Sequence, residues 1–189
     1  LKEVHERQGK AHTKVTALRR RVLGNPDLRY VTRRAAAHAY VASTLLYNAQ
    51  VWIKLDNHVH SCLNSTWSGV CRTMLGFRWK VDSPISDKKL FALAGVHPTA
   101  VLVRIRRLQY LGRLVRWGPI YLLVVLQEAD QANSAWHEAL RADLHWLWRR
   151  VPALHDMDPP LGACAPWIAL ARDHPKEWVG YIRKAGRSI

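Results

Sequence analysis

Apolar residues recur at helical spacing along most of the chain, most clearly between Pro98 and Gly118, PTAVLVRIRRLQYLGRLVRWG. At about 100° per residue, Val101, Ile105, Leu108, Gly112 and Val115 fall on one face, and Val103, Tyr110, Leu114 and Trp117 on the opposite one. Pro98 suits a first helical turn, and Gly118-Pro119 stops the helix. A helix apolar on two faces packs between two layers, so 98–117 is the expected centre of the fold. Between the faces run Arg106, Gln109, Arg113 and Arg116, spaced by three, four and three so that they project one above another, and the helix holds no acidic residue. The plain alternative is a core helix whose arginines merely reach solvent.

Residues 2–23 place Val4, Gln8, Ala11, Val15, Leu18 and Val22 in alternating steps of four and three, an amphipathic helix with one polar lapse at Gln8. Arg7, Lys10, Lys14 and Arg21 line up beside that seam. Gly24-Asn25-Pro26-Asp27 reads as a stop and a start, with asparagine able to cap the next helix. That second helix, to about Tyr47, is lean (Ala35, Ala36, Ala37, Ala39, Ala42), with Val31, His38, Val41 and Leu45 on its buried side. Asp56 or Asn57 caps a third, whose Val59, Leu63, Trp67, Val70 and Met74 repeat until Gly76. Ser86 and Gly95 bracket a short helix over 87–94. The run IYLLVVL, 120–126, fits a buried strand or a buried helix, and the QEADQA after it favours helix. Between Ser134 and Val151, Trp136, Leu140, Leu144, Leu147 and Val151 form a stripe that leaves Trp146 aside. Residues 152–166 read as a loop, and Pro175 opens a last helix with Trp178, Tyr181, Ile182 and Ala185 on one face. The expected fold is all-α, a bundle of about six to eight helices around helix 98–117 with a helical C-terminal extension.

Charge narrows the function. Among 189 residues, 29 Lys+Arg face 14 Asp+Glu, a formal +15 that points to a polyanionic partner, nucleic acid ahead of an anionic membrane surface. The longest apolar run, 120–126, falls far short of the roughly 18 to 20 residues of a membrane span. The N-terminus LKEVHERQGKAHTK carries no signal-peptide pattern. An intracellular protein, nuclear or cytoplasmic and not secreted, is expected, and Leu1 in place of an initiator suggests a piece of a longer product. Cys62, Cys71 and Cys164 show no C-x-x-C spacing.

Candidate chemistry is thin. His155, Asp156 and Asp158 form an H-D-x-D string, but Pro159-Pro160 follows and aspartates are common in such turns. His58 and His60 sit about 200° apart on their helix, too far round for one ion. G-x-S-x-G, H-E-x-x-H, a phosphate-cradling glycine loop and an Asp-Asp pair are all missing, so no catalytic residue and no metal ligand is assigned. Of the nine tryptophans most fit apolar faces; Trp79, in Arg78-Trp79-Lys80, and Trp146 are candidates for contact with bases.

Four strings occur in a familiar order: TLLYNAQVW (44–52), CRTMLG (71–76) followed by Arg78-Trp79, LAGVHP (93–98), and RIRRLQYLGRLVR (104–116). Together they resemble the thumb and the segment after it in non-LTR (LINE-type) retrotransposon reverse transcriptases. In that family the first string usually reads L-L-Y-G-x-E-x-W and the last R-R-L-R-W-L-G-H-V-x-R. This chain has Asn48 for Gly, Gln50 for Glu, Tyr110 for Trp and Arg113 for His. The resemblance implies a thumb-like nucleic-acid-binding region over 1–118 and a Trp-rich helical extension over 119–189. It implies a non-catalytic fragment of an RNA-directed DNA polymerase that grips an RNA/DNA template–primer duplex through backbone phosphates beside the fingers and palm of the same polypeptide. No cofactor is expected in this chain, since magnesium would belong to the palm, and neither a membrane nor a small-molecule substrate is implied. The residues assigned to nucleic acid are Arg106, Gln109, Arg113, Arg116, Lys10, Lys14, Arg21, Arg78 and Trp79. Two other readings stay open: a free-standing helical DNA- or RNA-binding module, and a degenerate retroelement relic without activity.

Overall fold

The computed structural model describes residues 2–52, 56–77, 85–131, 134–160 and 164–187, all helix, turn or loop. Among them stand nine helices and no strand. Helix α1, Lys2–Leu18, continues through a π-type turn, Arg19–Leu23. Helix α2 runs from Tyr30–Ala36 through a π-type stretch, Ala37–Ala42, into Ser43–Leu45. Then come α3 (Asn57–Leu75), α4 (Asp87–Leu93), α5 (Thr99–Trp117), α6 (Ile120–Gln131), α7 (Ala135–Arg150), α8 (Ala165–Asp173) and α9 (Pro175–Arg187). The bundle is all-α, as the periodicity predicts. The run 120–126 is helical.

Side-chain chemistry sets the helix ends. The Val59 amide donates to the Asp56 carboxylate at 2.7 Å to start α3, and Gly76 (φ 75°) ends it in the left-handed conformation. Ser86 and Ser134 accept from the amides of Lys89 and His137 to start α4 and α7. Asn25 behaves otherwise than expected. Its side-chain oxygen accepts from the Asp27 amide at 2.9 Å, which makes a turn, and α2 begins only at Tyr30. Val31 consequently lies in the first turn beside an inward-facing Tyr30 and is 65 % exposed. Helix α8 is one that the apolar pattern does not announce: the loop expected to Pro166 ends earlier, and Pro166 sits inside the first turn of α8.

The chain forms two compact units, Leu1–Tyr47 with Leu55–Ala100, and Asn48–Lys54 with Val101–Ile189. The division at Ala100 replaces the boundary expected after Gly118, because Leu108, Leu111 and Val115 of α5 share a core with residues 126–185.

Within the first unit, apolar burial comes from Val41 and Leu45 of α2, from Leu63, Trp67 and Met74 of α3, and from Leu90 of α4. Polar groups tie these helices together. Gln8, the lapse in the α1 seam, donates to the Thr66 hydroxyl at 3.0 Å and the Cys62 carbonyl at 3.3 Å. The Trp67 indole donates to the His97 carbonyl at 3.0 Å, and the Tyr30 hydroxyl to Ala94 at 2.6 Å. The Thr99 hydroxyl donates to Asn64 at 2.6 Å, anchoring the start of α5.

In the second unit, α5 packs Leu108, Leu111 and Val115 against Leu126 of α6, Leu140, Leu144 and Leu147 of α7, Trp167 of α8 and Trp178 of α9. Gly112 permits the closest approach. A Cβ there would lie 2.7 Å from the Trp178 indole nitrogen, whose N–H donates to the Leu108 carbonyl at 3.1 Å. Asn48 adopts the left-handed conformation (φ 59°) ahead of a short 3₁₀ turn, Ala49–Val51, and Trp52 is buried. No helix among the described residues is long and apolar enough to cross a membrane.

Candidate nucleic-acid interface

The two apolar faces expected of α5 are the margins of one broad buried arc. Leu111 and Arg107 join them across the middle: Val103, Arg107, Leu108, Leu111, Gly112 and Val115 are all buried. Trp117, expected on the buried side, is 76 % exposed in the last turn, where its ring lies 5.3 Å from the Arg116 guanidinium. The last turn of α5 lies at the edge of the packed region, and the chain leaves it directly through Gly118 into α6, whose Ile120 and Tyr121 are also exposed.

Arg107, 5 % exposed, is the residue that sequence reasoning missed. Its guanidinium donates to the Asp143 carboxylate at 2.5 Å and to the Trp52 carbonyl at 3.0 Å, so it joins α5, α7 and the segment after Asn48. Arg104 approaches the same carboxylate at 3.8 Å. Burial pushes the Asp143 carboxyl up to about 6, outweighing the downward pull of Arg107 and Arg104. A signal existed: Asp143 lies three residues after Leu140 and four before Leu147 of the apolar stripe, so it faces the core side of α7 and needs a cation there.

The flank turned away from this arc carries the expected arginine line. Gln109, Arg113 and Arg116 are exposed and Arg106 is half-buried. Burial, and then the charge of Arg113, holds the Arg106 guanidinium below its ordinary range. Among the described residues no carboxylate forms an ion pair with Arg113 or Arg116. Gln109, Gly112, Arg113 and Arg116 rim a cleft of about 330 Å³, whose far wall is Ala171, Pro175, Trp178 and Val179 from α8 and α9. Three of the four expected residues, Gln109, Arg113 and Arg116, thus come together at one cleft with a largely apolar wall and a cationic rim, and Arg106 is not among its lining residues. Such a rim suits phosphate oxygens, to which guanidinium groups donate in forked pairs and the Gln109 amide donates singly.

The other assigned residues lie elsewhere. Lys10, Lys14 and Arg21 are exposed in the first unit, and Lys10 is paired with Glu6 at 2.5 Å, which holds that carboxyl below the usual range. Arg78 and Trp79 fall outside the described residues. Trp146 is only 9 % exposed, and the Arg104 and Arg150 guanidinium groups lie 6.0 and 5.2 Å from its ring, so its faces are not open to bases. In the H-D-x-D string, His155 packs its ring 4.9 Å from that of Trp148 and bonds the Trp148 carbonyl at 3.0 Å, while Asp156 and Asp158 point to solvent. No three His, Cys, Asp or Glu side chains converge among the described residues. Set beside known proteins, no family model, no curated protein and no solved structure matches the chain.

Proposed function

We propose that the chain is the thumb-like, non-catalytic part of a retrotransposon-type reverse transcriptase and that it grips a template–primer duplex through backbone phosphates. The observation that carries the phosphate grip is the α5 flank, where Arg113 and Arg116 stand exposed without a described carboxylate partner on the rim of a cleft that Gln109 also lines, with the half-buried Arg106 on the same flank. In a chain of formal charge +15 such a surface attracts polyanions and positions a duplex without reading its sequence. The polymerase origin rests on the resemblance of the four strings. Two of its landmarks have local physical reasons here. Asn48 replaces glycine at a left-handed position, where asparagine is among the few residues that fit at small cost. The glycine of the last string, Gly112, is where Trp178 meets bare backbone.

Replacing Arg106, Arg113 and Arg116 together by alanine is expected to flatten the dependence of log affinity on log salt by about 2.7, at roughly 0.9 per phosphate neutralised on B-form duplex. Affinity falls about equally for unrelated sequences, because phosphate contacts carry no base information. Duplex binding at several salt concentrations, with circular dichroism as the folding control, measures it. An unchanged slope in a folded variant overturns the track. A loss confined to one sequence moves the function to a sequence-reading module.

A further inference from the structure

On the other side of α5 lies a second basic recess. Arg104, Ala142, His145, Trp146, Arg149 and Arg150 line a cleft of about 740 Å³ between α5 and α7, and no acidic residue is among them. At about 100° per residue, Arg104 projects roughly 160° away from the middle of the Arg106–Arg116 track, so the two basic surfaces do not merge along the helix. Asp143, next to Ala142 in sequence, is buried and held at 2.5 Å by Arg107, leaving only a 3.8 Å approach from Arg104. Trp146 organises the recess. The Arg104 and Arg150 guanidinium groups both lie over its ring, 6.0 and 5.2 Å from the centroid, an arrangement that the negative faces of an indole support. His145 is likewise ordered, its ring stacked on Trp148 with centroids 5.7 Å apart and planes 20° apart. Convergent, pre-ordered cations in a concave wall concentrate positive potential and bind an anion with little loss of side-chain freedom.

We propose that this recess is a second phosphate-binding site that takes the backbone of a separate nucleic-acid segment, so that the second unit holds two segments at once. The choice of nucleic acid rests on the reading proposed above and on shape. The recess is concave and its one tryptophan is turned inward, whereas attachment to an anionic bilayer calls for outward apolar side chains beside the charges.

The test counts short duplexes bound per chain by analytical ultracentrifugation, using the whole 189-residue chain. The unaltered chain is expected to bind two. Arg104→Gln/Arg149→Gln/Arg150→Gln is expected to bind one, and the salt slope for that remaining duplex is expected to stay unchanged. Arg149→Glu alone, a charge reversal at an exposed position, is expected to lose the same second duplex with an unchanged circular dichroism spectrum, which separates loss of the site from loss of the fold. Unchanged stoichiometry in the Arg149→Glu variant overturns the second site. If the track variant then still loses its duplex, the phosphate grip on α5 stands without it. Absence of duplex binding by the unaltered chain overturns both. Retention on phosphatidylserine vesicles that Arg149→Glu abolishes, with duplex binding unaltered, assigns the recess to a membrane and overturns the nucleic-acid partner.

Discussion

Arg107 and Arg113 belong to one helix and one string, yet they do different work. Arg107 lies in the buried arc of α5, bonded to Asp143 and the Trp52 carbonyl, while Arg113 stands on the outer flank beside a cleft. The difference comes from what faces each of them. Across from the inner arc, α7 supplies a carboxylate on its packed side; across from the outer flank, the cleft wall from α8 and α9 is Ala171, Pro175, Trp178 and Val179, while Asp173 and Glu177 of those helices pair with Arg172 and His174. An arginine-rich string is therefore not a binding surface by composition. Its members divide into those whose charge is neutralised within the fold and those whose charge stays at the surface, and in the proposed phosphate grip only the second kind contributes to the salt dependence of binding.

The largest expected effect breaks the inner side. Asp143→Ala leaves Arg107 buried without its partner and is expected to destabilise the fold by about 3–5 kcal/mol in denaturant titration at neutral pH. Replacing both Arg107 and Asp143 by leucine is expected to recover most of that loss, since a buried pair seldom repays its own desolvation. The raised Asp143 carboxyl gives the same argument a pH dependence. With a folded value of about 6 against about 3.8 unfolded, the folded chain holds this proton in a range where the unfolded chain has released it. Its contribution to stability is complete below about pH 4 and is lost as pH rises through about 6. Asp143→Asn removes that component, so between pH 4 and 7 the variant is expected to lose less stability than the unaltered chain. An equal loss in both would place the pH dependence on other groups.

Leu108→Ala probes the apolar part of the same arc. Leu108 is fully buried among residues of α5, α7 and α9, and the cavity left by truncation is expected to cost about 2–5 kcal/mol. A loss below about 0.5 kcal/mol in denaturant titration would mean that this face of α5 is not packed.

These contrasts also mark what the sequence discloses. Local rules were enough for the caps Asp56 and Ser86, for Gly76, and for the stripe Leu140, Leu144, Leu147 and Val151, because each depends on neighbours within one or two turns. They were enough for the arginine line too, since helical spacing alone aligns those residues. They were not enough for Arg107: on the wheel it falls between apolar positions, and the acid that makes its burial tolerable lies on another helix. Trp117 and Val31 were misplaced for a related reason. Periodicity says which residues share a face, but not how far along a helix the packing extends. Helix α8 escaped notice because Pro166 reads as part of a loop when it is in the first turn of a helix.

The smallest effect is the one that isolates the outer side. Arg113→Gln and Arg116→Gln keep a polar side chain at exposed positions without a described carboxylate partner, so each is expected to change stability by no more than about 0.5 kcal/mol. Arg113 has a further reason to be neutral or slightly favourable, because its charge already bears on the half-buried Arg106 and lowers that group's affinity for its proton. Removing a like charge from the neighbourhood relieves that pressure, so the Arg113 variant is expected to be the more stable of the two, and the difference should shrink in high salt. Thermal melts of both variants at low and high ionic strength measure this. A loss of several kcal/mol at Arg113 would mean that its guanidinium supports the fold as Arg107 does, and the division between the two sides of α5 would fail where it matters most for the phosphate grip.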